Sequence, residues 1–200
     1  MNLRPCIRLL CSVVAAAFVL AGCDQQQPSF RSTDVTGAQF GRDFELLGHD
    51  GQLRRLADFR GKVVIMFFGF THCPDACPIT LAELAAALGK LGEDAKRVQV
   101  LLVTVDPERD TPDVLGGYVT AFDKSFIGLT GSAEQIAAVA REFKVIYQRV
   151  DGSRPDSYSM DHSAGTFVFD TEGRLRLYVS YGRGSEVFAH DIAQLLKSSG

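Results

Sequence analysis

The 200-residue chain has no surplus of basic side chains, because its 21 Lys and Arg are outnumbered by 24 Asp and Glu. A protein that binds nucleic acid usually carries a clear basic excess or patch, so the composition argues against a nucleic-acid partner. The chain also lacks an apolar run of the roughly 20 residues that a membrane-spanning helix needs. It contains no internal repeat and no change of composition after residue 40, so we expect a single domain.

The N-terminal apolar run, residues 9–20, is too short to span a bilayer. It follows two arginines and ends in small residues, which is typical of a secretory signal peptide. We predict a signal peptide over residues 1–22. Its removal leaves 19 basic and 24 acidic side chains, a formal charge of −5.

The four residues Leu20-Ala21-Gly22-Cys23 resemble the bacterial lipobox. The resemblance implies that the thiol of Cys23 carries a lipid, and two or more acyl chains hold a protein firmly to a bilayer. The alternative is an ordinary cysteine at the end of a signal peptide. Residues 23–40 are polar with little apolar periodicity, so we expect a lipid-anchored flexible tether before a domain at residues 41–200. Asp24 resembles a signal for retention at the inner membrane, so we expect the periplasmic face of that membrane in a bacterial cell envelope.

Cysteine is scarce in the predicted mature chain, where Cys73 and Cys77 are the two left besides Cys23. In an oxidising compartment both are available for one shared role. A disulfide between them would close too small a loop to stabilise a domain appreciably, since the entropic benefit grows with loop length. The spacing by itself leaves both disulfide exchange and metal ligation open.

The strands are predicted from apolar runs and turn residues. Two near-continuous apolar runs, residues 62–68 and 98–105, are typical of strands buried on both faces of a sheet. Glycine-containing turns join two predicted hairpins, at residues 43–54 and 166–180.

Helices are predicted at residues 78–90, 111–122, 133–143 and 186–197. Ser132 followed by Gln135 has the form of a capping box. The β-α-β-α alternation implies a mostly parallel sheet. The whole order suits an α/β, thioredoxin-like fold, with a central mixed sheet flanked by helices and an N-terminal β-hairpin.

The two cysteines lie where the first central strand ends and a helix begins, which is where open α/β sheets place functional sites. Backbone amides and the dipole at a helix N-terminus favour negative charge, so we expect one or both thiols to have a pKa below the usual value of about 8.5. A spacing of four should place both sulfurs on one side of a helical turn. In an oxidising compartment this proximity predicts a redox disulfide between Cys73 and Cys77 when no metal is bound.

The motif Gly69-Phe-Thr-His-Cys-Pro-Asp-Ala-Cys-Pro78 resembles the hallmark of the Sco/SenC family, thioredoxin-fold copper proteins associated with assembly of the copper-A centre of cytochrome c oxidase. Residues 105–111, 128–131 and 161–163 resemble the family as well, so the similarity covers most of residues 40–197. It implies that one copper ion, as Cu(I), Cu(II) or both, is held by Cys73, Cys77 and His162.

The chemistry of these side chains agrees with the resemblance. Two thiolates and an imidazole form a soft ligand set that suits copper. Zinc is also chemically possible, although it usually takes a fourth ligand. His162 stands where thioredoxin-like oxidoreductases carry a proline facing their disulfide, and the chain has no proline after Pro155. This argues against a general disulfide exchanger.

Other polar residues near these motifs are candidates for supporting roles. Asp161 could orient the imidazole of His162, and Asp106 could line the site. His72 is expected to shape the cysteine loop or its charge without binding the metal. His49 and His190 are predicted to be solvated side chains.

Two functions are compatible with the sequence. The first is a copper metallochaperone that delivers copper to the copper-A subunit of cytochrome c oxidase, with a copper donor protein and a thiol reductant as further partners. The alternative is an enzyme, a thiol-disulfide reductase that keeps the oxidase's copper-ligand cysteines reduced. We favour the non-enzymatic function because it requires His162, which a reductase does not. A peroxidase is disfavoured, since residues 67–73 lack the proline of the usual Pro-x-x-x-Thr-x-x-Cys pattern.

Overall fold

The computed structural model describes residues 28–154 and 157–198. The predicted signal peptide, the lipid attachment at Cys23 and the first part of the tether lie outside the described residues and stay predictions. Within the described ranges, no helix is both long and apolar enough to cross a membrane.

In the described part of the chain, ten strands form two sheets. In chain order they are β1 (Thr33–Asp34), β2 (Glu45–Gly48), β3 (Leu53–Arg55), β4 (Val63–Gly69), β5 (Val98–Thr104), β6 (Ile127–Thr130), β7 (Tyr147–Asp151), β8 (Tyr158–His162), β9 (Thr166–Phe169) and β10 (Leu175–Val179). The main sheet has eight strands in the order β1-β10-β9-β4-β5-β6-β2-β3, and β7 and β8 pair separately.

Over the same described residues, four α-helices accompany the sheets: α1 (Ala76–Leu91), α2 (Pro112–Thr120), α3 (Ala133–Glu142) and α4 (Ser185–Ser198). Short 3-10 segments span Leu56–Phe59 and Gly92–Arg97. The predicted capping box is confirmed, because the hydroxyl of Ser132 accepts from the amide of Gln135 while the Gln135 side chain accepts from the amide of Ser132.

The central strands β4 and β5 are buried along their whole length. Their side chains alternate between two apolar clusters, one on each face of the sheet. Helices α1, α2 and α4 cover the first cluster and α3 covers the second. Burial on both faces explains why the sequences of β4 and β5 are continuously apolar.

The predicted central mixed sheet, its flanking helices and both hairpins are confirmed. The expectation of a mostly parallel sheet is wrong: β4 pairs with β5 and β5 with β6 in parallel, whereas every other pairing in the sheet is antiparallel. The cause is that both hairpins join the sheet antiparallel to their neighbours, β2 against β6 and β9 against β4.

The chain segment before the first hairpin is attached to the domain, although we expected it in the tether. The amides of Arg31 and Ser32 donate to the buried carboxylate of Asp191 at 2.8 and 2.9 Å, and β1 pairs with β10. His190 is half-buried with its Nδ1 2.8 Å from the same carboxylate, so the prediction of a solvated side chain is wrong. A carboxylate with two amide donors fixes the start of the domain to α4.

Candidate metal centre

A fully buried carboxylate holds the loop that carries the cysteines. The amide of Thr71 donates to Asp110 at 3.1 Å and its hydroxyl donates at 2.6 Å. The hydroxyl of Thr104, at the end of β5, donates to the same carboxylate at 2.6 Å. Asp110 therefore ties the first residues after β4 to the end of the neighbouring strand. Asp110 was not predicted to belong to the site. The pattern that could have identified it is an acidic residue shortly after a buried strand.

The cysteines lie on either side of the start of α1. Cys77 is the second residue of the helix, whereas Cys73 lies in the preceding turn. The expectation that both share a regular helical turn is therefore wrong. Instead, the backbone amide of Cys77 donates to the sulfur of Cys73 at 3.4 Å. The helix thus begins with a free amide directed at a sulfur, an arrangement that favours a thiolate.

The side chain of Cys77 is packed tightly against the end of β4. It is 1% exposed, and a Cβ atom at Gly69 would come within 2.5 Å of its sulfur. Real Cβ atoms do not approach other heavy atoms this closely, so the sulfur can occupy this place only because residue 69 is glycine.

The two thiols have opposite pKa shifts. A hydrogen bond from the Cys77 thiol lowers the pKa of Cys73 to about 4, and the amides of Asp75 and Cys77 and the ring of His162 act in the same direction, against the effect of burial. The same interaction, followed by burial, raises the pKa of Cys77. At neutral pH the metal-free, reduced site therefore holds one thiolate and one thiol. The expected low pKa belongs to Cys73.

His162, the last residue of β8, faces the cysteines. Its Nε2 lies 3.8 Å from the sulfur of Cys77. Its Nδ1 lies 3.1 Å from the carbonyl oxygen of Ser163, and because a carbonyl can only accept, Nδ1 donates this hydrogen bond. Phe70 packs edge-on against the ring at 5.9 Å. This arrangement leaves the lone pair of Nε2 available for a metal.

The three predicted ligands converge. One donor atom from each of Cys73, Cys77 and His162 lies within 4.8 Å of the others, so these residues could hold a metal ion. Consider a sulfur and an imidazole nitrogen that bind the same ion at about 2.3 and 2.0 Å. With a trigonal angle between the two bonds, the sulfur and the nitrogen would lie about 3.7 Å apart. The distance of 3.8 Å between Cys77 Sγ and His162 Nε2 is close to this value.

Two residues predicted to support the site do not belong to the cluster of candidate ligands. His72 is exposed, with Nδ1 3.1 Å from the hydroxyl of Thr71, which fits a role in the loop. Asp161 is exposed and precedes His162 on β8, and because side chains alternate along a strand it faces the opposite side. The group next to Nδ1 is the Ser163 carbonyl, which the sequence analysis did not consider.

Asp106 and His49 have structural contacts. Asp106 is buried and binds Arg109 and the hydroxyl of Tyr158, so it contacts the strand that carries His162. His49 is half-buried and its Nδ1 accepts from the amide of Gly128 at 3.1 Å, so the prediction that it is solvated is wrong. It joins the first hairpin to β6.

Comparison with known proteins identifies the group to which this architecture belongs. Residues 32–197 match the family model described as SCO1/SenC. The chain belongs to the SCO1/SenC family. This confirms the resemblance seen in the cysteine motif, and the match begins close to the first residues that the structure attaches to the domain.

The family includes similar proteins from animals and bacteria. Over 146 residues the chain is 43% identical to the mitochondrial protein SCO2 homolog of Bos taurus, a match that covers 72% of this chain and 55% of the bovine protein. The chain therefore spans little more than half the length of that SCO1/SenC relative.

Solved SCO1/SenC structures share the thioredoxin-like fold. The solution structure of apo Sco1 from Thermus thermophilus has a TM-score of 0.76 and 42% identity, and the match covers 86% of this chain and 99% of that one. The copper-bound structure of ScoI from Bradyrhizobium japonicum has a TM-score of 0.70 and 36% identity, and the match covers 80% of this chain and all of that one. The predicted fold class is thus confirmed.

Proposed function

We propose that this chain is a copper metallochaperone that binds one copper ion through Cys73, Cys77 and His162 and helps assemble the copper-A centre of cytochrome c oxidase. The observation that carries the proposal is the convergence of two sulfurs and an imidazole nitrogen within 4.8 Å. Copper bound to a family member of 36% identity supports the choice of metal.

The donor set favours copper over zinc. Thiolate and imidazole are soft or intermediate ligands that suit copper, in particular Cu(I). A structural zinc site usually has four protein ligands. In the part of the chain that the structure describes, the cluster contains three His, Cys or carboxylate donors. Such a low-coordinate set fits copper better than structural zinc.

The protonation states indicate how the site is prepared for its cargo. Cys73 already bears a thiolate, and Nε2 of His162 lies beside the sulfur of Cys77. Cys77 retains its proton in the metal-free site, so binding of the ion requires one proton to leave. Cys73 and His162 are half-buried, whereas Cys77 is buried. The ligands of a partner protein can therefore approach a bound ion from the side of Cys73 and His162, while Cys77 holds the ion on its buried side.

The cysteine pair also supports the second candidate, a thiol-disulfide reductase. A partly exposed thiolate beside a second thiol is the arrangement that attacks disulfides. In this reaction Cys73 would attack a partner's disulfide and form a mixed disulfide. Cys77 would then attack the Cys73 sulfur, so that a Cys73–Cys77 disulfide forms and the partner leaves with two thiols. The redox disulfide between Cys73 and Cys77 stays a prediction.

Replacing His162 separates the two functions, because it provides a metal ligand but no sulfur chemistry. If the chain is a chaperone, His162→Ala should weaken copper binding by more than the 10- to 100-fold that is typical for loss of a supporting residue. Copper-A content should then fall in cells that carry only this variant at low copper supply, while thiol exchange survives.

The control is His72→Ala, which removes an exposed histidine that neighbours Cys73 but does not belong to the cluster. It should leave both copper binding and oxidase assembly unchanged. Normal copper-A content with His162→Ala would refute the chaperone function and favour the reductase.

A further inference from the structure

The strand that carries His162 lies outside the main sheet. Among the described strands it pairs with β7 alone, in a separate two-stranded sheet. A two-stranded hairpin is marginally stable by itself, so its position depends on contacts with the rest of the domain. Along β8, Tyr158, Met160 and His162 are half-buried and the two residues between them are exposed. The half-buried face of β8 therefore carries both the candidate ligand His162 and the residues through which the strand contacts the domain.

Tyr158, at the other end of β8, is held at two points by the segment that follows β5. Arg109 Nη1 donates to the backbone carbonyl of Tyr158 at 3.0 Å. The Tyr158 hydroxyl donates to the carboxylate of Asp106 at 2.8 Å. Between these points the Arg109 guanidinium stacks on the ring, 3.6 Å from its centroid. Both the backbone carbonyl and the hydroxyl group of Tyr158 are thus held, which leaves β8 little freedom to shift along its axis.

Arg109 and Asp106, which hold Tyr158, are themselves held in place by contacts at the end of β5. Arg109 forms an ion pair with Asp106, which is 3% exposed. The amide of Asp106 donates to Thr104 Oγ1 at 2.9 Å, directly at the end of the buried strand β5. The guanidinium also lies 5.9 Å from the ring of Phe70, the residue that packs edge-on against His162. Arg109 therefore contacts both the strand of His162 and the start of the cysteine loop.

We propose that Arg109 and Tyr158 form a clamp that sets the position and register of β8 and so places His162 opposite the two cysteines. Both are positioning residues and not ligands, and the inference rests on the proposed copper binding at this centre. Because the side-chain period of a strand is two, a slip of one residue would turn His162 to the outer face. Tyr158 and His162 are about 13 Å apart along the strand, so its paired backbone can transmit the constraint.

The test compares variants of the full-length chain for copper affinity, by competition with a chelator, and for the imidazole-nitrogen coupling in the electron paramagnetic resonance spectrum of bound Cu(II). Arg109→Lys keeps the charge but loses the planar fork that reaches the Tyr158 carbonyl. We expect its affinity to fall at least ~10-fold, with a weaker nitrogen signal. Tyr158→Phe keeps the stacked ring and should show a smaller loss of the same kind. The apo-protein melting temperature and Cys73 alkylation rate should stay near those of the wild type.

The matched control is Arg149→Gln, because Arg149 stacks on Tyr158 at 3.8 Å but is half exposed and pairs with acids at the surface. It should bind copper like the wild type. Coupling to the ligand is tested by adding Arg109→Lys to His162→Ala, where no further loss of affinity is expected because the ligand that the clamp positions is gone.

The inference is overturned if the clamp variants match a copper-binding wild type, or if Arg109→Lys weakens binding equally with and without His162. If Arg109→Lys does not fold, Tyr158→Phe decides by the same criteria. A wild-type chain that binds no copper would overturn the proposed function itself, so the two failures are distinguishable.

Discussion

Removing the charge of Asp110 should loosen the cysteine loop. In Asp110→Asn one carboxylate oxygen becomes an amino group, which cannot accept from the Thr71 amide or the Thr104 hydroxyl. The hydroxyl can rotate to accept, whereas the amide keeps only its longer hydrogen bond, 3.3 Å, to the remaining oxygen. The substitution thus removes one hydrogen bond to a charged group, which contributes about 1.5–3 kcal/mol, and the remaining hydrogen bonds lose their charge. We expect the free energy of unfolding to fall by about 2–4 kcal/mol.

Urea unfolding of the reduced apo protein measures this change. With a slope of about 2 kcal/mol per molar urea, a loss of 3 kcal/mol lowers the midpoint by ~1.5 M. Copper affinity should fall as well, since Thr71 lies two residues before Cys73. Asp161→Asn is the control: it neutralises an exposed carboxylate on the outer face of β8 and should change stability by less than about 0.5 kcal/mol. A loss for Asp110→Asn no larger than that of the control would refute the assignment of Asp110 as the tie between loop and sheet.

Three further predictions concern cysteines. Since the pKa of Cys73 is about 4, its alkylation rate in the reduced apo protein should stay nearly constant from pH 8 to 5 and fall below pH 4; a tenfold fall per unit from pH 8 downwards would contradict it. Gly69→Ala should displace Cys77 and weaken copper binding at least ~10-fold with the helix content retained, whereas Gly89→Ala, at an open position of α1, should not. Mass spectrometry of the membrane fraction should find an acylated peptide that begins at Cys23, and Cys23→Ser should release the protein; an unmodified mature N-terminus elsewhere would exclude the anchor.

The features predicted well from the sequence are those that depend on neighbouring residues. Continuous apolar runs gave the positions of β4 and β5 because both are buried on two faces. The capping box and the strand-to-helix position of the cysteines are local patterns as well. The role of His162 came from resemblance to a family, because its contact with Cys77 joins residues 85 positions apart.

The features that the sequence analysis missed have weak local patterns or distant partners. Strand β7 is mostly exposed and polar, so it lacks the apolar alternation by which strands are recognised. Strand β1 has two residues, and its pairing with β10 is visible only in the folded chain. Asp110 looks like an ordinary loop acid until Thr71, 39 residues earlier, is placed beside it.

The direction of β1 sets the end of the domain at which the predicted lipid-anchored tether would join it. Thr33 lies beside Tyr178, level with Met66 in β4, and Asp34 is one step further from the cysteine loop. The chain before Thr33 therefore leaves the sheet towards the end that carries the metal centre. With a lipid on Cys23, the eight residues to Arg31 reach at most about 28 Å. The cluster of Cys73, Cys77 and His162 would then stay within about one protein diameter of the lipid surface, and the proposed copper exchange would take place in that narrow layer.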